Sequence, residues 1–116
     1  IWKVGPTGGP VLVLRGGVPA GMALGPGGHL FVADRHAAKI FFLTPDGTPA
    51  EFIGFTEGDV PRSLGFAPIT DATRRAGIAG DLFVVTIRIG TFRLNEIVRI
   101  SGPFDRLVGA GGPDAR

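Results

Sequence analysis

The chain repeats itself, and this constrains its fold more than any other feature. Pro19-Ala-Gly-Met-Ala-Leu-Gly-Pro26 is echoed by Pro61-Arg-Ser-Leu-Gly-Phe-Ala-Pro68, with both prolines and the apolar positions between them in register. Gly28-His-Leu-Phe-Val-Ala-Asp34 is echoed by Gly80-Asp-Leu-Phe-Val-Val-Thr86, which shares the core Gly-x-Leu-Phe-Val. A third element occurs three times, as Ile1-Trp-Lys-Val4, Ile40-Phe-Phe-Leu43 and Ile97-Val-Arg-Ile100, each followed by a turn with Gly and Pro. Repeats of this size are single supersecondary units, and each needs a neighbour to cover its apolar face.

The recurring segments are four to seven residues of mainly Leu, Phe, Val and Ile bounded by Gly or Pro, which is the pattern of short strands. Asp71–Ile78 is the best helical candidate, but it carries Arg74-Arg75 and Gly77 and is too short for more than one helical turn. From Ile1 to Ile40 is about 39 residues and from Ile40 to Ile97 about 57, against the ~40–50 per blade of a β-propeller. The excess falls in an insertion at 69–79 and in a longer connection over 87–95.

The expected fold is therefore all-β, a propeller fragment of about two and a half four-stranded antiparallel blades. The outer strands of a partial blade occupy 1–18, near 1–4 and 11–15. A first full blade covers 19–60, with strands near 20–25, 29–34, 38–43 and 50–54. A second covers 61–109, with strands near 62–67, 80–86, 95–101 and 105–109. Residues 110–116 form a flexible tail. Open faces at both ends and a start in mid-pattern, without Met, lead to the expectation of a piece of a longer propeller rather than a self-assembling ring.

Composition agrees with many short strands. Gly 20 and Pro 10 together approach the level of disordered tracts, but 44% hydrophobic residues and nine Phe supply enough apolar surface for collapse. The net charge is +2, and the ten Arg and two Lys lie scattered among acidic residues, with no basic run longer than Arg74-Arg75. Such scatter argues against nucleic-acid binding. The absence of cysteine excludes disulfides and thiolate chemistry, and the apolar runs Ile40–Leu43 and Leu82–Val85 are far short of a membrane span.

Residues 19–34 followed by Lys39-Ile-Phe-Phe-Leu-Thr-Pro-Asp-Gly47 resemble an NHL-type repeat. That pattern has a Pro-x-Gly-hydrophobic opening, an aromatic-Val-Ala-Asp strand, a basic residue with Ile, and a closing Asp-Gly hairpin. The match is good over 19–54 and looser over 61–101. Ala37-Ala38 stand where the family often has Asn, and Thr86 replaces the Asp. The wider group includes gluconolactonase-like lactonases, virginiamycin B lyase and quinoprotein glucose/sorbosone dehydrogenases. The resemblance implies a secreted or periplasmic setting, and, for an enzyme fragment, Ca²⁺ or a quinone as cofactor.

In a propeller the loops joining second to third strands, and one blade to the next, meet at one mouth. The expected contributors there are Asp34, Arg35 and His36 from one loop, Arg88 and Arg93 from another, and Glu57, Asp59 and Arg62 between the units. Such a set suits an anionic ligand or a divalent ion. The plainer reading has Asp34 accepting turn amides, His36 as an exposed loop residue and His29 as a solvated turn residue. Trp2 and the phenylalanines at 41, 42, 52 and 55 are read as packing between blades rather than as a stacking platform.

Ser63 and Ser101 lack a nucleophile context, and Gly25-Pro-Gly-Gly28 has no following Lys-Ser/Thr. No catalytic residue is assigned. The expected function is a scaffold binding a protein or carbohydrate through its loop face, with other blades from a longer chain or other subunits as partners. The alternative is a fragment of a propeller enzyme, lactonase-like or a quinoprotein sugar dehydrogenase.

Overall fold

The computed structural model describes residues 1–4, 8–12, 14, 16–44, 47–55, 58–88 and 95–104. Within them the short apolar segments form antiparallel strands in three open sheets, and no barrel closes. The first sheet pairs β1 (Trp2–Val4) with β2 (Pro10–Leu12). The second is a meander of β3 (Pro19–Leu24), β4 (Leu30–Asp34), β5 (Lys39–Leu43) and β6 (Pro49–Gly54), each hydrogen-bonded to the next. The third joins β7 (Asp59–Phe66), β8 (Leu82–Arg88) and β9 (Glu96–Ile100). The strand expected near 105–109 and the tail 110–116 lie outside the described residues.

The repeat in sequence is a repeat in pairing. Phe31 stands opposite Phe42 and Ala33 opposite Ile40 in the second sheet, while Phe83 stands opposite Arg99 and Val85 opposite Ile97 in the third. The two opening prolines behave alike as well. The ladder slips between Pro19 and Gly21, and again between Pro61 and Ser63. A proline has no N–H for a ladder, so a bulge beside it is the natural accommodation. Ala20 and Arg62 are thereby the matching extra residues of the two units.

The second and third sheets stack face to face through β3 and β7. Gly21 permits the approach, since a Cβ there would lie 3.2 Å from the Ser63 Cα and 3.3 Å from the Arg62 carbonyl oxygen. Between the sheets lies a core of Phe31, Ile40, Phe42, Ala50, Leu82, Val84 and Phe104, flanked by Leu64, Phe66, Val98 and Ile100. Phe31 is at its centre, with ring centroids 5.0 Å from Phe66, 5.5 Å from Phe52, and 5.8 Å from both Phe42 and Phe104. Tilted and edge-on rings at these spacings align ring edges with ring faces.

Three sequence expectations change. Trp2 is not in a core but 59% exposed, because among the described residues β1 has a strand on one edge alone. His29 is not a solvated turn residue. Its ring stands edge-on to Phe42 at 5.6 Å, and its Nδ1 is buried with no hydrogen-bond partner among the described residues. β7 and β8 also reach beyond their expected ends, to Asp59 and Arg88, since these two residues are cross-strand partners and prolong the ladder.

The insertion after β7 forms one short helix, α1 (Asp71–Arg75). Thr70 caps it, accepting from the Thr73 amide at 3.1 Å while the Thr73 hydroxyl accepts from the Thr70 amide at 2.9 Å. Asp71 in the first turn and Arg74 and Arg75 in the last match the helix dipole. The turn between β4 and β5 holds Ala38 at φ 55°, a left-handed conformation that an L side chain resists. Ala38→Gly or Ala38→Asn should raise stability by about 0.5–1 kcal/mol, seen as a higher urea midpoint. An unchanged or lower midpoint would show that this turn carries no strain.

Candidate functional site

The described residues expected at the loop mouth do gather at one end of the stacked sheets. Asp34 ends β4, paired with Pro19 at the start of β3 and Lys39 at the start of β5. Asp59 opens β7 opposite Arg88 at the end of β8, with Arg62 at the bulge beside them. β3 and β7 run side by side, as the Gly21 approach to Ser63 requires, so both sets share that end. Glu57 and Arg93 lie outside the described residues.

The two described carboxylates are engaged within the fold. Asp34 Oδ1 accepts from the Ala37 amide at 2.9 Å and the Val18 amide at 3.3 Å, while the Arg35 amide donates to the Val18 carbonyl at 2.9 Å. An Asp at a strand end commonly gathers turn amides in this way. The incoming chain makes room at Gly17, where φ is +68° and a Cβ would strike Asp34 Oδ2. In the second unit Thr86 takes the place of Asp34, and its hydroxyl lies 3.3 Å from the Glu96 carbonyl, to which it donates.

Asp59 and Arg88 form a forked pair. Nε and Nη2 of Arg88 donate to the two carboxylate oxygens at 2.8 Å each. The Arg88 and Asp59 side chains are 15% and 22% exposed respectively, so this pair is screened less than a surface pair. The geometry suits planar guanidinium against planar carboxylate, and it fastens the end of the β7–β8 ladder. Arg88 was expected in a loop; it belongs to a strand, turned to its cross-strand neighbour.

Among the described residues this end turns both signs of charge outward, since Glu96 is exposed at the start of β9 opposite Thr86. Arg35, His36 and Arg62 are all exposed, and nearby Lys39 leans to Glu51 at 2.8 Å. Among the described residues no group of three or more His, Asp or Glu is placed to hold a metal ion. No helix among them is long and apolar enough to cross a membrane.

Sequence reasoning missed Asp81, which is 7% exposed at the opposite end of the third sheet. Its Oδ2 accepts from the Ser101 hydroxyl at 3.0 Å and has Arg99 Nε at 3.6 Å. Its backbone also closes the turn, since the Ala67 amide donates to its carbonyl at 2.9 Å. One Asp after a Gly, twenty residues from its serine, carries no local signal. Comparison of the chain with protein-family models, with curated proteins and with solved structures finds no match.

Proposed function

We propose that the chain is a stretch of an NHL-like β-propeller that serves as a non-catalytic scaffold and binds a protein or carbohydrate partner at its loop end. The successive sheets are its blades, and the loop end is their shared mouth. The observation that carries the binding reading is the division of charge there. Asp34 and Asp59 are committed to turn amides and to Arg88, whereas Arg35, His36 and Arg62 remain exposed. Glu96 is exposed at this end as well, but the two exposed arginines favour acidic groups, and flat, two-oxygen acceptors in particular.

The test is a titration with two probes at low salt, a sulfated oligosaccharide and a polyglutamate peptide. Binding of either should weaken about tenfold in an Arg35→Ser/Arg62→Ser double variant, the equivalent of losing two charge-assisted contacts of modest strength. It should also weaken as salt rises. Equal binding by the double variant, or no binding of either probe by the parent chain, excludes this end as an acidic-ligand site.

A further inference from the structure

The first sheet and the outer face of the second together leave a vacancy whose shape the repeat defines. β1 is equivalent to β5 and β9 by the Ile1, Ile40 and Ile97 repeats. β5 has β4 on one edge and β6 on the other, and β9 has β8. β1 has β2, the counterpart of β6, so the edge left without a strand among the described residues is the one that β4 occupies on β5. Ile1 bonds to Leu14 in both directions, at 3.0 and 3.3 Å. Alternation along a strand then turns the N–H and C=O of Trp2 to the open edge.

The sheet facing this edge is open at the matching place. Met22 and Leu24 are 57% and 67% exposed, although their counterparts Leu64 and Phe66 in the next unit are packed against the core. A cleft of about 610 Å³ lies between the two, lined among others by Ile1, Lys3, Met22, Leu24, Leu30 and Leu43. The junction already formed in the molecule shows what covers such a face. There β3 lays Gly21 close against β7, and Phe31 of β4 packs on Phe66.

We infer that the cleft between β1 and β3 is the acceptor for a β-hairpin of this same repeat. Its first strand would carry small residues at the positions of Gly21 and Ala23 and lie over Met22 and Leu24. Its second would carry an aromatic residue at the position of Phe31 and pair with the open edge of β1. This is strand addition, with backbone bonds for affinity and side-chain fit for specificity. A second copy is a poor occupant. Stacking through its β7–β9 face would bring β9 to the place that β1 already fills. The inference rests on the blade reading above, because the equivalences of the strands define the occupant.

The experiment uses the full chain and a synthetic peptide of its residues 16–36. Trp2 is the sole tryptophan and stands at the position of Phe41, whose cross-strand neighbour is Val32. Peptide docking should give Trp2 that neighbour and move its fluorescence to shorter wavelength. A peptide with Gly21→Val should not dock. The Leu24→Asp variant of the full chain should bind the native peptide about tenfold or more weakly, from the loss of one buried leucine.

No shift at saturating peptide, or an equal shift with the Gly21→Val peptide, overturns the inference. So does a doubled solution mass of the free chain that Leu24→Asp abolishes, since a second copy then fills the cleft. Amide exchange separates this failure from that of the blade reading. Slow exchange in β4, β5 and β8 together upholds the stacked sheets, and fast exchange there removes the basis of both.

Discussion

Phe31→Ala is expected to cost about 3–5 kcal/mol, the range for truncating a large aromatic in a packed core. Phe31 is wholly buried and touches rings from β5, β6, β7 and the segment after β9. Nothing else can refill the space, because those rings come from two sheets whose backbones already meet at Gly21 and Ser63. A loss of that size is comparable with the whole stability of many domains, about 5–15 kcal/mol, so the urea midpoint should fall by one molar or more. The control is Phe83→Ala. Phe83 is the repeat counterpart of Phe31 but lies half-buried on the face of the third sheet away from the core, and its truncation should cost about 1 kcal/mol. Equal losses at the two positions would mean that the sheets do not stack as described.

That contrast shows what the sequence could and could not reveal. The strands were legible because Gly and Pro bound them and because Pro19/Pro61 and Leu30-Phe31-Val32/Leu82-Phe83-Val84 recur in order. The pairing partners followed from consecutive hairpins. Which of two equivalent residues is buried was not legible, since it depends on which face of each unit meets a neighbour. Phe31 and Phe83 read identically, and so do Met22 and Leu64, yet Phe31 is wholly buried and Phe83 half-buried, while Leu64 packs on the core and Met22 is exposed. Trp2 illustrates the same limit, its apolar character being visible and its exposure not.

The site divided along similar lines. Asp34 as an acceptor of turn amides could be read from an Asp closing a strand before a turn. The Asp59–Arg88 pair could not, because it joins positions 29 apart in the chain and depends on β7 beginning before Pro61 rather than after it. Pro61 signals an interruption of the ladder, and a bulge lets the strand continue across it. His29 was misjudged for a related reason. A Gly-Gly turn marks where the chain reverses, while the position of Phe42 on the next strand decides what the ring at 29 meets.

Gly25→Ala should destabilise the protein by about 1–3 kcal/mol, an overpacking cost, chiefly through collision with one ring. A Cβ at residue 25 would lie 2.8 Å from Phe31 Cε1, 3.3 Å from Phe31 Cδ1 and 3.2 Å from Phe66 Cζ. The φ of Gly25 is not in the left-handed region, so the backbone accepts alanine and the whole cost is steric. Its counterpart in the second unit is Ala67, so the repeat itself accepts an alanine backbone at this place. The collision predicts strong coupling. In a Phe31→Leu background, where the ring edge is gone and only the approach to Phe66 Cζ remains, Gly25→Ala should cost clearly less, giving an interaction energy of about 1 kcal/mol or more in a double-mutant cycle by urea denaturation. If the two changes simply add, the alanine is resisted by something other than the Phe31 ring, and the tight seating of that ring beneath the β3–β4 turn is refuted.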